Sequence, residues 1–233
     1  MEKIIYNFGT SFVNNYVYFH NDKMILIDTG YENDYDHFKK MMEKTGLTLL
    51  MIDYVFITHS HSDHVGFLKR LLEVNKKALI ISSLEAKERM KTGQNQKAFY
   101  VGSLSSFLGK LNKSRISYPF IDDDKRFIPY TEQNKELLKD ILGGDIIETT
   151  GHTKDSLSLL LTDKKMFVGD AAMNIPLSFH KVSFVIENLS SYIRSWQKII
   201  ELKPLVIYPG HGKTMKINDL TDNIIYLSKI SLK

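Results

Sequence analysis

Short apolar runs separated by turn-forming residues dominate the first third of the chain. Residues 12–20, 24–28 and 54–57 read as strands bounded by Gly, Asn or Asp, with 13–22 forming the arm of a hairpin. Between them Tyr35, Phe38, Met41 and Met42 recur at helical spacing, and Gly46 stands where a C-terminal cap belongs. Residues 67–74 read as a second helix and 78–82 as a buried strand. The last third repeats this grammar, with strands at 145–148, 156–161, 165–168 and 205–208 and helices at 191–202 and 219–230. Two similar halves, each with strands leading into histidines, predict an α/β (α+β) fold with two facing sheets and helices outside. Residues 85–140 are the least regular. There Tyr100, Leu104, Phe107, Leu108 and Leu111 fall at amphipathic helical spacing, a stripe that packs on the core or lines a pocket.

Composition narrows the classes. A length of 233 residues suits one large domain, expected here to span 1–233 with 85–140 as a pocket-shaping insertion. With 43% hydrophobic and 25% charged residues, a disordered tail, a collagen-like repeat or a coiled coil is excluded as the main architecture. Cysteine is absent, so disulfides, thiolate nucleophiles and sulfur-bound metals are excluded, and any metal must be held by nitrogen and oxygen. The net charge is +4, yet residues 110–140 carry seven basic and six acidic side chains, which reads as a solvated surface rather than a nucleic-acid stripe. Residues 1–10 hold too short an apolar run for a secretory leader, and no stretch approaches the about 18 apolar residues of a membrane span. A cytoplasmic protein without membrane or nucleic-acid partners is expected, acting on a small molecule.

Candidate chemistry lies in three segments that hold five of the eight histidines: His59, His61 and His64 with Asp63, then His152 in Gly-His-Thr, then His211 in Gly-His-Gly. The first follows an apolar strand and precedes a helix, the place where α/β folds put their sites. His59 and His61, two apart, point the same way in extended chain, whereas Asp63 and His64 join them only if the chain turns. His59 with His61 can hold one metal and Asp63 with His64 a second, about 3.5–4 Å away as in two-metal sites. His152 and His211 are the candidate third ligands, and Asp170, after an apolar strand and a glycine, the candidate bridging carboxylate.

His59, His61, Asp63 and His64 match His-x-His-x-Asp-His, and here the chain resembles the metallo-β-lactamase superfamily. His152, Asp170 and His211 fill the remaining ligand contexts of its two-metal hydrolases, and the matched segments run from about Asp28 to Gly212. The resemblance implies a four-layer αββα sandwich with the site at one edge of the sheets, and in it Asp28 resembles the aspartate that orients a ligand histidine, although a turn or cap role suits it equally. His20, His37 and His180 lack sequence partners and read as surface or core residues.

Two divalent ions held by imidazole and carboxylate suit zinc first, with iron or manganese as alternatives. A water bridging them would have its pKa lowered to about 7 and serve as hydroxide, with Asp63 also placed to hold it or to pass its proton to the leaving group. The resemblance implies a hydrolase of an ester, lactone or thioester, nearest the hydroxyacylglutathione hydrolase and acyl-homoserine-lactone lactonase branch. Only 22 residues follow His211, too few for the helical substrate domain of the first, and Met173 stands where the second carries a tyrosine. Without a cysteine ligand, and with a bridging carboxylate, β-lactamase activity is not expected. The competing readings are a single-iron persulfide dioxygenase, a metallo-phosphodiesterase and a metal-binding module with negligible turnover.

Overall fold

Residues 3–92, 99–101, 124–176 and 178–230 are described in a computed structural model of the chain. One sheet runs β1 (Tyr6–Asn7), β2 (Tyr16–His20), β3 (Lys23–Ile27), β4 (Ile52–Phe56), β5 (Leu79–Ser83) and β7 (Phe127–Tyr130) in that spatial order. Strands β3, β4, β5 and β7 are parallel, and β2 is antiparallel to its neighbours. A second sheet has the order β12 (Val206–Pro209), β10 (Lys165–Gly169), β9 (Leu157–Leu161) and β8 (Gly144–Glu148). A two-residue pairing of β6 (Phe99–Tyr100) with β11 (Val185–Ile186) stands apart. The halves are therefore unequal, six strands against four.

Alternation along the strands sorts three apolar layers. Ile25, Ile27, Phe56 and Ile81 meet Leu157, Leu159, Leu161 and Phe167 between the sheets. The intervening Leu26, Val55 and Ile80 face Phe38 and Met42 of α1 (Tyr35–Lys44), and Leu68 and Leu71 of α3 (Leu68–Val74). On the far side Leu160, Met166 and Val168 face Tyr192, Trp196 and Ile199 of α6 (Leu189–Leu202). Helix, sheet, sheet, helix is the predicted sandwich. Among the described residues no helix is long and apolar enough to cross a membrane.

Local departures have local causes. The strand expected over 12–20 begins only at Tyr16, because Asn14 turns aside to bond Gly210 and Gly212 in the third histidine segment. The helix expected over 219–230 splits into α7 (Ile217–Thr221) and α8 (Ile224–Leu227), where Asn223 caps Asp219 and reaches His180. Within 85–140, helices α4 (Leu84–Thr92) and α5 (Lys135–Leu142) and strand β7 are regular structure not foreseen. Leu104, Phe107, Leu108 and Leu111 of the amphipathic stripe, and the side chain of Tyr100, lie outside the described residues.

Candidate metal centre

Strands β3, β4, β8, β10 and β12 end at one edge of the sandwich, and every residue singled out from the sequence follows one of them. The turn needed after His61 is α2 (Ser62–Val65), a single helical turn with His61 as its extended N-cap. It turns Asp63 toward His211 while the His64 ring stays 4.0 Å from that of His59, so the segment feeds two donor sets that adjoin, with His59, His64 and Asp170 grouped between them.

The first set is His59, His61 and His152. His59 Nε2 lies 3.1 Å from His61 Nδ1, and His152 Nε2 lies 3.2 and 3.0 Å from those two atoms. Outer partners decide where the protons sit. His152 Nδ1 faces the Val185 carbonyl at 2.6 Å, which can only accept, so Nδ1 donates and Nε2 presents a lone pair. The Thr58 hydroxyl donates to Asp28 Oδ2 at 2.7 Å, so it accepts from His59 Nδ1 at 3.1 Å, and His59 Nε2 is likewise a lone pair. Lone pairs so placed repel unless a cation lies between them, and tetrahedral zinc with nitrogen ligands needs about 3.3 Å between donors. The spacing fits a metal ion. Burial, reinforced by the neighbouring imidazoles, holds His59 well below the usual imidazole range. Burial also lowers His61, and takes His152 down to about 4.

The second set is Asp63, His64 and His211, with Asp170 between the sets. His211 Nε2 lies 3.3 Å from Asp63 Oδ2 and 3.4 Å from Asp170 Oδ2, and His64 Nε2 lies 3.5 Å from Asp170 Oδ1. Asp170 Oδ2 also stands 3.6 Å from His152 Nε2, so one carboxylate faces both sets. His64 Nε2 and Asp170 Oδ1 are fully buried and have no hydrogen-bond partner among the described residues, an expense that coordination to a shared ion would remove. Burial would lower His64 and His211, but Asp170 raises both, His64 further with Asp28 and Asp63, and His211 to about 10. Burial would raise both carboxyls; the two imidazoles instead hold Asp63 and Asp170 well below the carboxylate range. Protons on His64 and His211 thus occupy the electrostatic role that a cation would take.

Backbone supports the pair. Asp28 adopts φ +57°, and its carboxylate accepts from Thr58 N at 2.7 Å and from His64 Nδ1 at 2.8 Å, so the turn and the orienting role coincide in one residue. His211 Nδ1 donates to the Phe12 carbonyl at 2.6 Å. A Cβ on Gly210 would lie 2.6 Å from Asp170 Oδ1 and from His64 Cε1, so only glycine lets that loop approach.

All seven residues proposed as ligands are gathered at this edge, His59, His64, His152 and Asp170 buried and His61, Asp63 and His211 half-buried on the solvent side. His20, His37 and His180 lie outside the donor sets, bonded to the Asp140 carbonyl, the Gly9 carbonyl and Asn223 Oδ1. Sequence reading missed Asn14, Ser183 and Tyr31. Ser183 Oγ lies 2.9 Å from His152 Nδ1, and the Tyr31 hydroxyl stands 3.5 Å from Asp63 Oδ2. Only Asn14, in an Asn pair inside an apolar run, left a trace in the pattern.

A model of the metallo-beta-lactamase superfamily matches residues 8–211. A Caenorhabditis elegans relative, Beta-lactamase-like protein 2 homolog, is 26% identical over 216 residues, covering 91% of this chain and 60% of its own length. A metallo-beta-lactamase fold-containing protein of Sulfurisphaera tokodaii is 29% identical over 202 residues, covering 81% of this chain and 68% of its own. This chain thus spans about three fifths of the nematode relative. Among solved structures, a Cronobacter sakazakii metallo-beta-lactamase with a HARLDQ motif superposes with a TM-score of 0.67 at 16% identity, covering 97% of this chain and 88% of that one, a likeness of fold.

Proposed function

This chain belongs to the metallo-beta-lactamase superfamily, and from that premise we propose that it is a dinuclear metal-dependent hydrolase cleaving an ester, lactone or thioester of a small molecule. The observation that carries the reading is Asp170, whose Oδ2 faces His152 of the first set and His211 of the second while Oδ1 faces His64, Oδ1 being buried with no hydrogen-bond partner among the described residues. His59, His61 and His152 would hold one ion, and Asp63, His64 and His211 the other, with Asp170 shared. Zinc is the first choice for such donors, with iron or manganese next. When bound, such a pair supplies Lewis acidity and a water acidified to a pKa of about 7.

The protein's own groups do the rest. Val185 and Thr58 hold the outer nitrogens of His152 and His59, so those two imidazoles keep lone pairs turned inward, and Asp28 holds the outer nitrogen of His64, whose Nε2 would face the second ion once its proton is displaced. Asp63 lies on the half-buried side, where its carboxylate would orient the attacking water by a hydrogen bond and relay its proton to the leaving oxygen or sulfur. Substrate would approach past His61, Asp63 and His211. The absence of a cysteine ligand and the shared carboxylate separate this site from the β-lactam-cleaving arrangements considered above.

Elemental analysis of protein purified without chelator, followed by assay on lactones, thioesters and phosphodiesters, tests the proposal. About two ions per chain with chelator-sensitive turnover of a lactone or thioester supports it. One iron with oxygen consumption on a persulfide would replace it with the dioxygenase, and no bound metal would overturn it.

A further inference from the structure

Arg89, on α4, is buried at 6% exposure and has no part in either donor set. Its Nη1 donates to Asp155 Oδ1 at 2.9 Å and to Glu187 Oε1 at 3.1 Å, its Nη2 to Glu187 Oε2 at 3.2 Å, and its Nε to Glu85 Oε1 at 3.3 Å. Two of these acceptors are committed to histidine-bearing loops. Asp155 uses its other oxygen to accept the backbone N–H of Ser60, between His59 and His61, at 2.7 Å. Glu187 accepts the backbone N–H of Lys154 at 2.6 Å, and its own N–H donates to the carbonyls of Gly151 and His152 at 2.9 and 3.1 Å.

We propose that Arg89 is the positioning residue of the first donor set, holding His59 and His61 against His152 before any ion arrives. The proposal rests on the reading that this set holds a metal. The two loops follow strands of opposite sheets, so hydrogen bonding within either sheet does not fix their separation. Two direct bonds join them, Ser60 N–H to Asp155 and Leu157 N–H to the Thr58 carbonyl at 2.8 Å, and one guanidinium braces that junction by holding Asp155 against Glu187, which grips Gly151, His152 and Lys154. The planar fork matters because it serves Asp155 and both oxygens of Glu187 at once, whereas an ammonium is a point charge that cannot keep that plane. Without the guanidinium, Asp155 and Glu187 would be buried charges without their shared partner, and the alignment of His152 with His59 and His61 would loosen although the direct bonds between the loops remain.

Arg89→Lys is the discriminating variant, because it keeps the charge and loses the fork. Cobalt(II) would be titrated into metal-free wild type and Arg89→Lys, by ligand-field absorbance and chelator competition, alongside thermal unfolding of both metal-free proteins. A His211→Ala background leaves only the first set complete and so identifies it. The expected result is a loss of about tenfold or more in affinity at the first set, with the second set and the metal-free Tm close to wild type. Unchanged first-set affinity overturns the proposal. So does an equal loss at both sets with a lowered metal-free Tm, which marks general structural support. Should Arg89→Lys fail to fold, Glu187→Gln, which retains an acceptor for Lys154, is read by the same criteria. A wild type that binds no cobalt removes the metal reading itself and this inference with it, whereas a binding wild type with an indifferent variant removes this inference alone.

Discussion

Asp28 Oδ2 lies 2.8 Å from His64 Nδ1, with both side chains out of solvent. The same carboxylate accepts two bonds from Thr58, at a residue whose φ of +57° lies in the left-handed region. One strained residue therefore sets the rotation of His64 and, through the Thr58 hydroxyl, the proton position of His59.

Asp28→Asn replaces an acceptor-only group with an amide that must also place two donors among partners that all donate. The second donor set is expected to lose about 10–100-fold in metal affinity, the first set less. Competition with a chromophoric chelator reads both.

Asp170→Asn should deplete the second set more than the first, because Asp170 lies 3.4 and 3.5 Å from the second-set imidazoles and 3.6 Å from His152. Metal per chain would fall from about two toward one. Unchanged occupancy would remove Asp170 from the ligands.

His61→Ala removes one of three converging nitrogens. Metal content and hydrolytic activity should both fall, turnover by more than about a hundredfold. His37, whose ring bonds the Gly9 carbonyl away from both donor sets, supplies the control, and His37→Ala should change neither.

The two sets should take up metal with different pH dependence. His64 and His211 are raised, His211 to about 10, so at neutral pH both carry a proton that the second ion must displace. His59, His61 and His152 are lowered, so the first ion displaces none. Second-set affinity is expected to rise about a hundredfold per pH unit between about 6 and 8, with the first nearly flat. Calorimetry in buffers of different ionisation enthalpy counts the released protons. Because raised imidazoles stabilise the metal-free fold below about pH 6.5, that stability is lost as pH rises through about 10.

Gly210→Ala would drive a methyl into Asp170 Oδ1 and His64 Cε1, so metal content at the second set should collapse. Gly46→Ala meets nothing within 4 Å but has φ +77°, and should cost about 1 kcal/mol with both ions retained. Metal analysis beside thermal unfolding separates the two effects.

Where the sequence was silent, the causes are specific. Strand β7 contains Pro129, which argues against a strand, yet β7 lies at the sheet edge where a missing donor is tolerated. Helix α5 turns Leu138, Ile141 and Leu142 to the core at helical spacing, but with 8 residues it spans about two turns, too short for the period to stand out from its surroundings. The break at Asn223 depends on His180, 43 residues away, and no local pattern holds that information.

Period-two alternation, turn residues and one dense histidine segment determined the layered sandwich, the edge that carries the site and the division of His59 and His61 from Asp63 and His64, because each follows from geometry within a few residues. Tertiary structure decided the rest. His152 reaches His59 across 93 positions, Arg89 joins Asp155 to Glu187 from a third element, and Asp170 faces both donor sets. Those relations arise only when two separately hydrogen-bonded sheets pack face to face, since side-chain packing between layers, unlike strand periodicity, leaves no period in the sequence.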